Sequence, residues 1–243
     1  MGAGPQVVGR DDHSNFPPGV KAVRSIGSTS GKLNREGILA LEPDLVLAAE
    51  IHSAEQIKTL ENLDLSVFLL SNPKTFPELF RNVQLVGQLS DHEVEASRLA
   101  ASLEIRVNTV AEKLRGLPHR PIVFYELDAT DVRHPWTVGP GSFMHTLISL
   151  AGGENFGASM TQDYPRVSAE TVLRRDPDVI VLGDSIFGVT VESVRQRAGW
   201  EALSAVKAAR VYTFDDDLAS RPGPRLVEGL ETLARLLHPD RFP

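Results

Sequence analysis

The sequence of 243 residues contains no cysteine, which excludes disulfide bonds, thiolate metal sites and a cysteine nucleophile. The lack of a free thiol also fits an oxidising compartment. No run of about 18 apolar residues is present, so the sequence predicts no membrane-spanning helix. No block of about five or more like charges indicates a disordered tail. A net charge of −7 and a pI of about 5.5 argue against general nucleic-acid binding.

The N-terminal stretch MGAGPQVVGRDDHSNF also lacks the charged start and the apolar segment of a signal peptide. The chain does have enough apolar material for a core, because 42% of its residues are hydrophobic and 23% are charged, as in ordinary globular domains. Its length suits one large α/β domain or two lobes of about 100–150 residues each.

One pattern occurs twice: ILALEPDLVLAAE at 38–50 and VLRRDPDVIVLGD at 172–184. In each, the end of a helix leads through an acidic residue and Pro-Asp into a continuous apolar run. Asn34 and Ser168 are predicted to cap the two helices, and the proline stops each one. A continuous apolar run is typical of a parallel strand that is covered on both faces. Helical patterns follow both runs, so each half is predicted to form a βαβ unit with a parallel sheet.

Between the two copies, residues 90–117 carry an apolar stripe at helical spacing. Ser90 and Glu93 match a capping box, and Gly116 and Pro118 end the pattern. About 26 residues at 1.5 Å each would make a rod of about 39 Å. Such a helix could pack within one domain or could join two lobes as a rigid strut. The second interpretation is favoured because the repeated pattern falls once on each side of the helix.

We therefore predict an α/β protein with two Rossmann-like lobes that contain small parallel sheets. The N-terminal lobe is expected at 1–89, a linker helix at 90–117 and the C-terminal lobe at 118–243. In open α/β sheets, ligands bind outside the carboxyl ends of the strands. Two lobes that face each other would place both sets of strand-end loops around one cleft.

Six stretches, in this order, resemble the substrate-binding proteins of ABC importers that carry metal chelates such as cobalamin, ferric siderophores and haem. They cover nearly the whole chain: GAGPQVVGRDDHSNFPPGV, LNREGILALEPDLVLAA, WTVGPGSFMHTLISLAGGENFGA, YPRVSAETVLRRDPDVIVLG, WEALSAVKAARVYTFD and SRPGPRLVEGLETLARLLHP. The resemblance implies two lobes joined by one long helix, capture of a chelate in the interlobe cleft, and delivery to a permease and, through it, its ATPase. It also implies a periplasmic or extracytoplasmic location.

The resemblance further implies a strand and a helix before the first of these stretches. The N-terminal lobe is therefore expected to lack its first strand and helix, and we expect the native product to contain residues upstream of Met1. We expect a monomer, with self-association if the lobe is truly truncated, because unpaired strand edges invite pairing. Contact with a membrane is expected only through the permease or an anchor outside this chain.

Candidate ligand contacts lie in loops at predicted strand ends: His13, Phe16, Glu50, His52, Tyr125, Trp136, Phe143, Tyr164, Arg166, Phe187 and Arg221. An aromatic face such as that of Trp136 suits a flat tetrapyrrole or an aryl siderophore. Arg166 could pair with a carboxylate or phosphate of the ligand, and Tyr164 could coordinate haem iron. The structural alternatives are a polar turn around His13 and packing of Trp136 between loops.

Three acidic residues are candidates for docking to the permease. The resemblance matches Glu55 with a glutamate that pairs with a permease arginine, although a carboxylate is favourable at a helix N-terminus in any case. The matching position in the C-terminal half holds Ser220 and not an acid. Asp216 and Asp217 could supply that charge, or they could belong to a solvated turn.

The expected cargo is a corrinoid first, a ferric siderophore second, and haem as the alternative. Cobalamin is neutral overall, whereas an anionic chelate would need an arginine cluster, of which Arg166 and Arg221 supply at most a small one. No cofactor and no protein-held metal are predicted, because the seven histidines lack metal-ligand spacing. The stretch GSTSGKL at 27–33 is one residue too short for a phosphate-binding loop, and Leu33 replaces the required Ser or Thr.

An alternative from another class is a two-lobed α/β enzyme that acts on a nucleotide-sugar-like substrate, and a third is a scaffold protein with an unused cleft. An enzyme of this kind should place a nucleophile and a base in the crevice. The sequence shows no such constellation with oxyanion donors, so we predict a binding protein and no enzyme.

Overall fold

The computed structural model describes residues 1–28 and 33–242. The chain divides into two compact units, Met1–Asn72 with Arg81–Leu99, and Pro73–Phe80 with Ala100–Pro243. The predicted boundaries of the lobes and the linker helix stay predictions. Most of the stretch 27–33, which we compared with a phosphate-binding loop, lies outside the described residues.

The first unit is built around one parallel pair of strands. After short 3₁₀ turns, its elements are helix α1 (Arg35–Leu39), strand β1 (Val46–Ala49), helix α2 (Ala54–Glu61) and strand β2 (Val67–Leu70). The strands pair in parallel from Val46 opposite Val67 to Ala49 opposite Leu70. The predicted cap of α1 is confirmed, since the Asn34 side chain accepts a hydrogen bond from the Gly37 N–H at 2.9 Å. One buried apolar cluster of this unit contains Leu33, Ile38 and Leu60.

Two longer helices follow, α3 (Phe76–Leu89) and α4 (Glu93–Lys113). Helix α4 has 21 residues and spans about 31 Å, so it is shorter than predicted. The predicted capping box is wrong, because Ser90 Oγ donates to the Val86 carbonyl at 2.7 Å and so belongs to the end of α3. Gly87 allows the turn between the helices, since a Cβ there would lie 2.3 Å from that of Ala96.

The elements of the second unit after α4 are β3 (Ile122–Glu126), α5 (Phe143–Leu150), β4 (Glu154–Asn155), α6 (Ala169–Arg175), β5 (Val179–Leu182), α7 (Val191–Arg195), α8 (Ser204–Lys207), β6 (Val211–Thr213), α9 (Asp217–Ser220) and α10 (Leu226–Leu237). The four strands form a parallel sheet in the order β4-β3-β5-β6. The two copies of the Pro-Asp pattern therefore supply strands to different sheets, as predicted. The predicted cap of α6 is also confirmed, because Ser168 accepts from the Thr171 N–H at 3.1 Å.

The core of the second unit is apolar and closely packed. All four residues of β5 are buried, and Trp200 is only 1% exposed, with its ring centroid 6.2 Å from that of Phe124. Four leucines recur at helical spacing on one face of α10, and all four are buried: Leu226, Leu230, Leu233 and Leu237. Burial of each such side chain contributes about 1.5–3 kcal/mol, so this face fixes α10 on its unit.

Strands β3, β5 and β6 run in the same direction, so their carboxyl ends lie along one edge of the sheet. The segments that follow them, residues 127–142, 183–190 and 214–217, therefore start from that edge. Among the helices of the described part of the chain, none combines the length and the apolar character needed to cross a membrane.

Candidate functional site

The loop after β3 is ordered by main-chain hydrogen bonds on both sides of Trp136. The Trp136 N–H donates to the Asp128 carbonyl at 2.7 Å, and the Leu127 N–H donates to the Trp136 carbonyl at 2.9 Å. On the other side, the Thr137 N–H donates to the Pro165 carbonyl at 2.9 Å. Three extended segments therefore lie side by side, with Trp136 in the middle one.

Glycine makes this close approach possible. The Gly139 N–H donates to the Asp163 carbonyl at 2.8 Å, and a Cβ on Gly139 would lie 1.8 Å from the Gln162 carbonyl oxygen. The loop then enters α5, where Ser142 caps the helix by accepting from the His145 N–H. The sequence VGPGS thus explains locally why the loop lies against residues 162–165.

Trp136 and Arg166 form an exposed contact on this loop. Trp136 is 38% exposed, and the Arg166 guanidinium carbon lies 5.5 Å from its ring centroid. Arg166 also donates from Nε to the His134 carbonyl at 3.1 Å and from Nη2 to Asp131 Oδ2 at 3.3 Å. A cation over an exposed indole contributes about 0.5–1 kcal/mol. The pair therefore presents a flat surface with apolar and cationic parts.

Other exposed aromatic side chains occur in neighbouring segments. Phe187 is 82% exposed and Ile186 is 60% exposed in the turn that follows β5. Tyr164 is 46% exposed, and partial burial raises the pKa of its phenol, with a smaller contribution from the charges of Asp163 and Asp216. These side chains are therefore accessible to a ligand.

Tyr125 differs from the prediction of a ligand contact. Its side chain is completely buried, and its hydroxyl donates to Asp216 Oδ1 at 2.6 Å. Burial, followed by the charge of Asp216, raises the pKa of this phenol well above its usual value. Because strand β3 places it inside the unit, Tyr125 offers no surface to a ligand, and its contact fixes the position of Asp216.

Phe143 and Arg221, two further candidates, are held by neighbours within the second unit. The Phe143 ring stands edge-on to the ring of Phe76, with centroids 5.3 Å apart. Arg221 donates from Nε to Asp217 Oδ1 at 2.6 Å, and Arg225 lies 3.8 Å from the other oxygen of the same carboxylate. Contact of Phe143 and Arg221 with a ligand stays a prediction.

The candidates of the first unit lie in two loops and at one helix start. His13, Phe16 and Glu50 are exposed, whereas His52 is half-buried, with Nδ1 2.9 Å from the Ala49 carbonyl at the end of β1. Sequence analysis missed Ile51, which lies next to two of these candidates and is 82% exposed.

Glu55 is exposed in the first turn of α2. Beside it, Ser53 and Gln56 form a capping box with hydrogen bonds of 2.8 and 3.2 Å. The helix end is therefore satisfied without Glu55, which leaves its carboxylate accessible to a partner.

A buried group of charges at the sheet edge was also missed. Glu126 ends β3, is fully buried and accepts two hydrogen bonds from Arg197, one of them from Nη2 to Oε1 at 2.8 Å. Asp184 follows β5, is 3% exposed and accepts from the Ala129 N–H through Oδ2 at 3.0 Å. Within the described part of the chain, Asp184 Oδ1 has no hydrogen-bond partner. Burial and then the charge of Glu126 raise the pKa of Asp184 to about 6.

These three charges are not visible as a cluster in the sequence, since Glu126 and Arg197 are 71 residues apart. The sequence did offer one indication of this group, because the repeated pattern at 172–184 ends in an acid, Asp184. Within residues 1–28 and 33–242, no group of three or more histidine, aspartate or glutamate side chains is arranged to hold a metal ion.

Comparison with known proteins decides the family. Residues 1–218 match the periplasmic binding protein family. The chain belongs to this family. An uncharacterised ABC transporter substrate-binding lipoprotein of Bacillus subtilis is 32% identical over 100% of this chain and 76% of its own length. A vitamin B12-binding protein of Pectobacterium atrosepticum is 29% identical over 93% of this chain and 78% of its own length.

Solved structures agree with this membership of the periplasmic binding protein family. A periplasmic haem-binding protein from Roseiflexus has a TM-score of 0.83 and 25% identity, with 96% of this chain and 90% of that chain covered. The resemblance stated from the sequence and the α/β class with small parallel sheets are therefore confirmed. The alternative of a nucleotide-sugar enzyme is not favoured, because these relatives are binding proteins.

Proposed function

We propose that this periplasmic binding protein captures a metal chelate outside the cytoplasm and delivers it to an ABC permease, and that it binds its cargo without chemical conversion. The observation that supports this most directly is the exposed Trp136, which is fixed by main-chain hydrogen bonds and has Arg166 over its ring. A rigid aromatic face at the carboxyl edge of a parallel sheet suits a large flat ligand.

A corrinoid is the cargo that the charges favour. Arg166 lies within 3.3 Å of an Asp131 oxygen, and Arg221 lies 2.6 Å from an Asp217 oxygen. Both cations are thus paired with acids of the same chain, which reduces the positive charge that each one offers to a carboxylate or a phosphate. A chelate that is neutral overall and rich in amides fits this balance better than an anionic ferric siderophore.

Haem is the weaker candidate on the same argument, because its propionates are anionic. In addition, iron coordination by Tyr164 would require the phenolate, and partial burial together with nearby carboxylates raises the pKa of this phenol. Both effects act against a tyrosine ligand at this position.

Titration calorimetry with cyanocobalamin, a ferric hydroxamate siderophore and haemin tests the proposal. Cyanocobalamin should bind, and Trp136→Ala should weaken it by at least about tenfold, as expected for a central aromatic contact. The matched control is Ile105→Ala, which removes an apolar side chain that is 66% exposed on α4. If none of the three chelates gives a heat or spectral change, the proposed cargo class is wrong.

We further propose that Glu55, Asp216 and Asp217 are the acids that meet the permease. Glu55 is the strongest of the three, because Asp216 already accepts from Tyr125 and Asp217 is paired with Arg221. Glu55→Lys should abolish stimulation of the transporter ATPase while cargo affinity stays unchanged. Glu61→Lys at the other end of α2 is the control with the same charge change, and equal effects of both variants would contradict the assignment.

A further inference from the structure

The geometry points to Asp131 as the residue that sets the charge selectivity of the surface formed by Trp136 and Arg166. This inference rests on the proposed function for its ligand, although the state of charge can be tested without one. Asp131 lies in the loop after β3 and touches three cationic or titratable side chains at once: Arg166 at 3.3 Å, His134 at 3.0 Å and Arg133 at 3.7 Å.

The two oxygens of Asp131 have different partners. Oδ1 accepts from the Arg133 N–H at 3.0 Å, which closes a tight turn of the kind that aspartate and asparagine both stabilise. Oδ2 lies 3.0 Å from His134 Nδ1 and 3.3 Å from Arg166 Nη2. Oδ1 therefore closes the turn and also lies 3.7 Å from Arg133 Nε, whereas Oδ2 pairs with Arg166, the cation that lies over the indole.

The contacts of Asp131 indicate that it is ionised in the folded protein. The hydrogen bond from His134, followed by that from the Arg133 N–H, lowers the pKa of its carboxyl group. Asp128 is a second carboxylate whose pKa is lowered, first by its hydrogen bonds with Thr130 and to a smaller extent by the charge of Arg166. Two carboxylates, Asp128 and Asp131, thus oppose the guanidinium groups of Arg133 and Arg166, and their formal charges sum to zero.

Neutralisation of Asp131 would change the formal charge of these four side chains from zero to +1, and the surface formed by Trp136 and Arg166 would stay in place. Arg166 would remain beside Trp136, since its Nε bond to the His134 carbonyl does not involve the carboxylate. In this arrangement Asp131 makes the surface accept a neutral chelate and disfavours selection of an anionic one. Asp131 thus acts on the ligand through Arg166 and is a positioning and charge-compensating residue.

The variant Asp131→Asn separates charge from shape, because an amide oxygen can still accept from the Arg133 N–H. The chain contains two tryptophans, of which Trp200 is 1% exposed, so ionic quenching of fluorescence reports mainly on Trp136. At constant ionic strength, Asp131→Asn should raise quenching by iodide and lower quenching by caesium. Quenching by neutral acrylamide should stay the same. Equal iodide quenching in variant and wild type, or a parallel rise with acrylamide, would refute the inference.

A comparison of binding affinities is the second test of the inference. The probes are cyanocobalamin and its monocarboxylic acid, in which one amide is hydrolysed to an anionic carboxylate. Asp131→Asn should raise the affinity ratio of the acid to the amide by about threefold, the factor that one unit charge at roughly 6 Å gives in bulk water. About 1 M potassium chloride should remove the difference. An unchanged ratio would overturn the assignment of selectivity to Asp131.

Two further variants separate the explanations. Asp131→Glu keeps the charge and should retain the wild-type quenching and affinity ratio. Asp240→Asn removes the same charge at an exposed position beside Arg241 and should leave both unchanged. If the wild type binds neither probe, the proposed corrinoid cargo fails, and the quenching arm still decides whether Asp131 compensates Arg166.

Discussion

The variant Asp184→Asn should stabilise the protein at neutral pH and remove part of its pH dependence. In the native structure, burial raises the pKa of Asp184 to about 6 from a usual value of 3.8. An acid with a raised pKa is held in its neutral form by the fold, so its ionisation destabilises the native state. The difference of about two units corresponds to a cost of about 3 kcal/mol when the group is fully ionised.

The direction in which stability changes with pH follows from proton uptake by the folded and unfolded chains. Below about pH 4 the carboxyl group is protonated in both states and has no effect on stability. Between about pH 4 and 6 the folded chain binds a proton that the unfolded chain releases, so stability falls as the pH rises. Above about pH 6 the cost is constant. From pH 5 to pH 7.5 the wild type should therefore lose between about 1 and 2 kcal/mol through Asp184 alone.

Asparagine keeps the acceptor for the Ala129 N–H and brings no charge beside Glu126. The free energy of unfolding at pH 7.5 should rise by up to about 3 kcal/mol, and the slope between pH 5 and 7.5 should flatten accordingly. Urea denaturation at both pH values measures the two effects, with Asp240→Asn as an exposed control of equal charge change. A variant that is less stable than the wild type at pH 7.5, or that keeps the wild-type slope, would refute the reasoning.

Three further substitutions test other parts of the second unit. Arg197→Met leaves Glu126 buried without its cation and should cost about 3–5 kcal/mol in urea unfolding. Gly139→Ala should weaken chelate binding in calorimetry and should have a smaller effect on folding, because the new Cβ would lie 1.8 Å from the Gln162 carbonyl oxygen and must displace it. Gly4→Ala is the control, since no atom lies within 4 Å of a Cβ at that position. Tyr125→Phe removes a hydrogen bond to a carboxylate and should cost about 1–2 kcal/mol in unfolding, whereas cargo affinity should not change.

The strands and their separation into two sheets could be predicted from the sequence because the repeated Pro-Asp pattern combines two local signals. Proline before Asp178 limits the helix, and an unbroken apolar run identifies a strand with two covered faces. The inner face of α10 was predictable for a similar reason, since its leucines recur at helical spacing. The two residues of β4 were not found, because so short a strand is defined by pairing with β3 and not by its own pattern.

The site could be predicted only in part. Trp136 and Tyr164 could be selected as candidates from their positions in loops, and both side chains are exposed in the structure, while their contact with a ligand stays a prediction. Tyr125 was selected together with the loop that follows it, whereas it belongs to strand β3 and its side chain is buried. The contact of Asp131 with Arg166 joins residues that are 35 positions apart, and the pairing of Glu126 with Arg197 joins residues that are 71 positions apart. Neither contact could be predicted from a local sequence pattern, because both depend on tertiary structure.

The way in which the segment around Trp136 is held has a consequence for cargo range. Main-chain atoms make the bonds to both neighbouring segments, so the side chains at positions 133, 134 and 136 can be exchanged without loss of that backbone pairing. In such a scaffold, the side chains that determine ligand specificity can change while the backbone conformation is kept. It also makes a small combinatorial library at these positions a practical route to binders for chelates that the natural protein ignores.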